Sequence, residues 1–335
     1  GNAGGAAAAY AARAGMECFV FMPHDTPAVN QFEARLYGAK AFRVNGLIND
    51  CGKIVRDGAA AGVGMGWFDL STLKEPYRLE GKKTMGLELA EQMNWELPDA
   101  IFYPTGGGTG LVGMWKAFGE LAALGWLRGG LPTPDPGRPS VLQADGDTHR
   151  REGQDSSPLP FREGSSPSPS SSLREPGGRQ STDEGGLRFP RLISCQAEGC
   201  APIATAFRKG ERFAELFPNA YTAASGLRVP VAVGDFMILD AIRASGGTAE
   251  TGREAAIPEW MRRASALEGI SICPETAVCF DVLEGLVRDG AVKPDERVVV
   301  FNTGAAPKYL EAMPFDLPAL DKDAVDWNLV AGGGR

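Results

Sequence analysis

The sequence predicts an α/β fold of parallel sheets with helices on both faces, and three observations lead there. Short apolar, β-rich runs alternate with helical patterns along the chain, the rhythm of βαβ units. The 335 residues, 43% of them hydrophobic, supply apolar material for one large or two modest cores. The run Gly106-Gly107-Gly108-Thr109-Gly110 joins an apolar stretch to a helical one, as where a strand of a parallel sheet turns into the helix that follows it.

The elements follow in order. Gly1-Asn2-Ala3-Gly4-Gly5 leads into an alanine-rich helix that runs to residue 14. Residues 17–22 and 40–44 read as short strands, with helical segments over 31–37 and 47–60. A long helix around 80–95 precedes a strand at 99–104 and a helix at 111–124. The rhythm resumes with a strand at 192–197 and helices near 201–208 and 235–244. Two further helices near 254–268 and 275–289 lead to a last strand at 297–301. Between residues 128 and 188 the pattern collapses into Pro, Ser, Gly, Arg and Asp, including Ser165-Ser166-Pro167-Ser168-Pro169-Ser170-Ser171-Ser172. Such a segment cannot bury enough apolar surface to offset its ordering entropy, so 129–187 reads as a disordered insertion at a surface connection. A chain that opens on glycines rather than methionine, straight into a loop-to-helix junction, reads as lacking its N-terminal part.

A net charge of −8 with no basic run argues against nucleic acid as a partner, and no apolar stretch is long enough to span a bilayer. The six cysteines form no C-x-x-C pair and only His24 and His149 could join them, which argues against zinc and disulfide frameworks. Two histidines also leave Ser-His-Asp or Cys-His catalysis almost without candidates. Proton chemistry then falls to lysine, carboxylates, hydroxyls or a cofactor.

The glycine run is the first candidate site. Glycines let backbone N–H groups close on an anion, and a helix start adds unpaired N–H groups and partial positive charge, so Gly106, Gly107, Gly108, Thr109 and Gly110 suit a phosphate. The run lacks the Gly-Lys-Ser/Thr ending of a nucleotide P-loop and the G-x-G-x-x-G spacing, and a structural turn without ligand competes with the binding reading. Asn2, at a helix start, could present its amide to a ring substituent or act as an ordinary cap. Thr303, in Phe301-Asn302-Thr303-Gly304, ends the last strand at the carboxyl edge where open parallel sheets bind ligands, though Asn-Thr-Gly is also a turn sequence. Arg78, Lys83 and Thr84 gather cations and a hydroxyl near a helix start and would suit a second anion; a solvated basic helix face is the competing reading.

Taken in this order, three segments carry a resemblance. They are Gly66-Trp67-Phe68-Asp69-Leu70-Ser71-Thr72-Leu73-Lys74-Glu75-Pro76-Tyr77-Arg78-Leu79-Glu80-Gly81-Lys82-Lys83-Thr84-Met85-Gly86, Pro104-Thr105-Gly106-Gly107-Gly108-Thr109-Gly110-Leu111 and Gln196-Ala197-Glu198-Gly199-Cys200-Ala201-Pro202-Ile203. Over residues 1–127 and 190–310 the chain resembles the tryptophan-synthase-β type of pyridoxal-phosphate enzymes (fold type II), and within it the threonine synthases. The resemblance implies two open, mostly parallel sheets flanked by helices, with the cofactor, pyridoxal 5′-phosphate, between two domains. The small α/β domain would be 1–70 and the large one 71–128 with 188–335.

It further implies that Asn2 bonds the cofactor's O3′, that Gly106, Gly107, Gly108, Thr109 and Gly110 hold its phosphate, and that Thr303 meets the pyridine nitrogen. Arg78, with Lys83 and Thr84, would grip the substrate's phosphate. The family reaction turns O-phosphohomoserine and water into threonine and phosphate by proton removal at Cα and Cβ, loss of the γ-phosphate and addition of water at Cβ. A homodimer in the cytoplasm, or in a plastid for a plant or alga, is the expected setting. The family's Schiff-base lysine lies upstream of the Asn-bearing loop, so the catalytic lysine is expected before Gly1; Lys40, Lys53, Lys74, Lys82, Lys83, Lys116, Lys209 and Lys308 lack its sequence context.

Two departures add bulk near the cofactor edge. Pro274-Glu275-Thr276-Ala277 replaces the family's usual Pro-Glu-Gly-Ala, and Asn302-Thr303-Gly304-Ala305-Ala306 stands where Gly or Ser often follows the first glycine. The competing readings are a serine/threonine dehydratase or a cysteate synthase of the same fold, and an inactive truncated chain that acts only by binding partners.

Overall fold

The computed structural model describes residues 1–62, 66–128, 188–313, 317, 319–325, 327 and 330, and among these the βαβ alternation builds two separate parallel sheets. The first pairs β1 (Phe19–Pro23) with β2 (Lys40–Val44), in register from Phe19 opposite Lys40 to Pro23 opposite Val44. Helices α1 (Asn2–Arg13), α2 (Ala28–Leu36) and α3 (Ile48–Ala60) belong to this part of the chain. Its core is small: Ala8, Val20, Met22, Ala34 and Ala39. Alanines at the contacts let α1 and α2 lie close to the strands, and aromatic pairs Phe19–Trp67 and Phe21–Phe42 flank them.

The second sheet has the order β5-β4-β3-β6, all parallel: β3 (Ala100–Pro104), β4 (Arg191–Ala197), β5 (Thr248–Gly252) and β6 (Val298–Val300). Every residue of β3 is buried, as befits a central strand covered on both faces. Its side chains alternate, Ile101 and Tyr103 into one core and Ala100 and Phe102 into the other. The first core is closed by α4 (Tyr77–Gln92), α5 (Thr109–Ala123), α6 (Pro202–Arg208) and α7 (Asp235–Ala244), through Leu89, Leu111, Phe118, Ile203 and Ile238. The second is closed by α8 (Ile257–Glu268) and α9 (Pro274–Arg288), through Met261, Val278 and Val282. These are the parallel sheets flanked by helices that the alternation predicts.

Helices α4 and α5 lie close because Gly86 faces α5: a Cβ there would sit 2.8 Å from that of Ala117. Ion pairs tie the same two helices, Lys83 to Glu80 and to Glu120, each at 2.6 Å, and Lys116 to Glu80 at 3.0 Å and to Glu120.

Three elements differ from expectation. β5 was not foreseen, because Thr248-Ala249-Glu250-Thr251-Gly252 has no apolar run; at the sheet edge only Ala249 and Gly252 are buried, which erases the periodic signal. The helix expected over 80–95 runs from Tyr77 to Gln92 instead, and Asn94 (φ 56°) and Trp95 (φ 64°) turn left-handed to end it. The helix expected near 254–268 splits into a 3-10 turn at Glu254–Ala256 and α8, with Pro258 in its first turn. The insertion read over 129–187 lies outside the described residues.

Candidate active site

The glycine run forms the junction of β3 and α5. Gly108 caps α5 in the left-handed region (φ 73°, ψ 0°), where a side chain would be strained, and its Cβ would strike Ile238. Gly106 lies against the backbone of Gly226, where a Cβ would run into the carbonyl oxygen. The loop is pinned from beneath by Gln196, a buried amide on β4. Its Nε2 donates to the Thr105 carbonyl at 3.0 Å, while its Oε1 accepts from the Ala204 N–H at 3.0 Å. Among the described residues, no backbone N–H from Gly106 to Leu111 is spent on a protein acceptor, although five of these six residues are buried. Buried donors require partners, so the loop forms a cup that can hold an anion.

The end of β6 lies beside it. The Phe301 N–H donates to the Phe102 carbonyl at 3.1 Å, carrying the pairing of β3 and β6 to the edge from which the cup rises. Thr303 follows, exposed, with its hydroxyl 3.7 Å from the Cys273 sulfur at the start of α9. Its N–H reaches the Thr276 hydroxyl at 3.4 Å, and that hydroxyl donates to Asn302 Oδ1 at 3.0 Å. Burial pushes the Cys273 thiol up to about 11, so a neutral group stands beside Thr303 at neutral pH. Cup and threonine thus share one edge of the sheet, the carboxyl end where ligands of open α/β sheets sit.

Asn2 arrives from the other sheet. Its Nδ2 donates to the Tyr309 hydroxyl at 2.9 Å, across 307 positions of sequence. Two further links bridge the same two parts of the chain: Lys308 to Glu33 at 2.8 Å and Arg228 to Asp25 at 2.7 Å.

Of the three residues expected to meet a second anion, the structure brings one to the cup. Arg78 Nη1 donates to the Leu70 carbonyl at 3.0 Å and to the Thr72 hydroxyl at 3.1 Å. Thr72 lies on the glycine loop, its methyl 2.7 Å from where a Gly107 Cβ would be. Lys83 is not with Arg78: its ammonium is held by Glu80 and Glu120 on the flank of α4 and α5, and these carboxylates raise its pKa. Thr84 is exposed and gives its hydroxyl proton to the Gly81 carbonyl at 2.7 Å. Successive helical positions diverge by about 100°, so Lys83 and Thr84 cannot share the Arg78 face, whereas a residue four positions on can. Lys82 is that residue; desolvation and the charge of Arg78 hold it below the ordinary lysine value.

Sequence reasoning missed Thr72, Lys82, Gln196 and Tyr309 as individuals. Gln196 carried a readable signal, a lone amide in the apolar strand Leu192-Ile193-Ser194-Cys195-Gln196-Ala197, because a buried amide must have partners. Lys82 follows from the i, i+4 rule. Tyr309 has no local pattern and is found only by its contact.

The family described as "Pyridoxal-phosphate dependent enzyme" matches residues 1–133 and 177–304. Over 313 residues the chain is 28% identical to a threonine synthase of Methanocaldococcus jannaschii, covering 93% of this chain and 62% of that protein. A threonine synthase of Methanosarcina acetivorans is 28% identical over 305 residues, 91% of this chain and 60% of the relative. The chain therefore spans about three fifths of the length of these relatives. Among solved structures, maize serine racemase superposes with a TM-score of 0.60 at 15% identity, covering 93% of this chain and 74% of that one. The processed form of threonine deaminase isoform 2 from Solanum lycopersicum gives 0.61 at 14% identity, covering 94% and 72%. These structural likenesses show the fold. A loop of uncommitted N–H groups, a hydroxyl past the adjoining strand end and an amide from α1, beside the first sheet, fit the phosphate, ring nitrogen and ring oxygen of pyridoxal 5′-phosphate. With that fit and a match over most of its length, the chain belongs to the family of pyridoxal-phosphate dependent enzymes.

Proposed function

We propose that the protein to which this chain belongs is a threonine synthase, converting O-phosphohomoserine and water to threonine and phosphate. The observation that carries the reading is the placement of Arg78: its guanidinium is hydrogen-bonded to Thr72, which itself lies on the cofactor's phosphate cup. A cation beside that cup suits a further phosphate, which the substrate of a threonine synthase carries in addition to its α-carboxylate and the substrates of a dehydratase do not.

When bound, pyridoxal 5′-phosphate supplies an electron sink for negative charge developing on carbon. The chain's own residues then have separable tasks. The N–H groups of residues 106–111 hold the cofactor phosphate. Thr303 offers a hydroxyl to the ring nitrogen; a hydroxyl leaves that nitrogen unprotonated, which moderates the sink. Asn2 donates to the ring oxygen. Arg78, with Thr72 and Lys82 near it, binds the substrate phosphate and compensates the charge that grows there as the C–O bond breaks. Lys83 is assigned to the helix flank.

The test is the full-length gene product loaded with pyridoxal 5′-phosphate and given O-phosphohomoserine, with phosphate and threonine measured together. Equal amounts of both support the reading. Ammonia and a keto acid from serine or threonine, without turnover of O-phosphohomoserine, would replace it with a dehydratase; turnover of phosphoserine with sulfite would replace it with a cysteate synthase.

A further inference from the structure

We propose that Tyr309 is a positioning residue for Asn2, and that Glu275 sets which way round the Asn2 amide is held, so that its second N–H faces the ring oxygen O3′ of the cofactor. This rests on the reading of Asn2 as the O3′ partner. Asn2 is exposed at the first turn of α1, whose cap is Gly1, and its side chain reaches away from its own helix. What holds it is the Tyr309 hydroxyl, at 2.9 Å from Nδ2.

Tyr309 is only 4% exposed and follows the 3-10 turn Ala306–Lys308. Its phenol has one proton. The Glu275 carboxyl, also 4% exposed, is the charged group that acts on this phenol; its Oε1 accepts from the Gly226 N–H at 2.8 Å, and its Oε2 is buried without a hydrogen-bond partner. Burial and then the Glu275 charge push the phenol well above the ordinary tyrosine value, so it keeps its proton. Above its own raised titration the ionised Glu275 carboxyl can only accept, and the phenolic proton is then the donor at hand. With that proton turned to Glu275, the phenol oxygen must accept from Asn2. The amide then has its nitrogen at Tyr309, one N–H spent and one free.

Were the phenolic proton turned to Asn2, the amide oxygen would take the nitrogen's place and the ring oxygen would lose its donor. Glu275 also links the two ends of the site, because the residue it holds, Gly226, is the one whose carbonyl abuts Gly106.

The experiment measures dissociation constants of the full-length protein for pyridoxal 5′-phosphate and for 3-O-methylpyridoxal 5′-phosphate, whose blocked O3′ is a poorer acceptor. Asn2→Ala and Tyr309→Phe are each expected to weaken pyridoxal 5′-phosphate binding about tenfold, as for one hydrogen bond to a charged acceptor. The double variant should bind no worse than Asn2→Ala, because Tyr309 acts through Asn2. Glu275→Gln, whose amide can donate back to the phenol, should show part of the same loss, and the methylated probe should show none of these differences. Lys308→Met, which loosens the segment from Glu33 without touching Asn2, should leave both constants unchanged.

Additive losses in the double variant, no loss in Tyr309→Phe, or the same loss in Lys308→Met would each overturn the role of Tyr309. If Asn2→Ala weakens both probes equally or neither, the reading of Asn2 itself falls, and the inference with it.

Discussion

At the scale of single residues, the site separates groups that face a ligand from groups that only resemble them in sequence. Arg78 and Lys83 are five positions apart in one cationic stretch, yet one lies beside the cup and the other is neutralised by two carboxylates. Arg78→Gln should therefore raise KM for O-phosphohomoserine by about 10- to 100-fold, the range for a lost charge-assisted hydrogen bond, while cofactor binding is kept. Lys83→Gln should leave that KM unchanged. Glu275 gives a pH prediction. Burial raises its carboxyl above the ordinary value, so the folded protein holds a proton that the unfolded chain has already released. Its contribution to stability is complete below the ordinary carboxylate value and is lost as pH climbs through the raised one. Urea midpoints measured across that window should fall with pH in the parent and fall less in Glu275→Gln.

At the scale of elements, the cup depends on two helices being held tightly at one edge of the sheet. Gly86→Val would push α4 off Ala117 and Met114 of α5 and should cost about 1–3 kcal/mol, the range for overpacking. The Glu80–Lys83–Glu120–Lys116 lattice ties the same pair from outside. Lys83 is only 16% exposed but its partners are more open, so Lys83→Met should cost about 1 kcal/mol, read from the urea midpoint, and less in high salt. The glycine turn was legible because consecutive glycines between an apolar run and a helical one mark the junction of a strand with the helix that follows it. β5 was not, because an edge strand with two buried residues leaves no periodic trace.

For the whole molecule, the two sheets have separate cores, and a seam of polar links joins the two parts of the chain. Asp25–Arg228, Glu33–Lys308 and Asn2–Tyr309 form that seam. The Arg228 side chain is 11% exposed while Asp25 is 38% exposed, so the pair is half in water. Asp25→Asn should cost about 1–2 kcal/mol, below the 3–5 kcal/mol of a fully buried pair, by urea unfolding.

The sequence by itself determined what is local: the alternation that makes parallel sheets, the glycine turn, the threonine at a strand end and the density of cations around Arg78. Each depends on neighbours within a few positions, where backbone sterics and helical or strand periodicity already constrain the answer. The tertiary structure decided what depends on distant encounters: that Glu120 holds Lys83 on the helix flank, that Gln196 pins the loop and that Tyr309 holds Asn2. Those outcomes follow from which surfaces are pressed together and which buried polar atoms must then find partners, and a hydrogen bond spanning 307 positions leaves no mark in the chain between its ends.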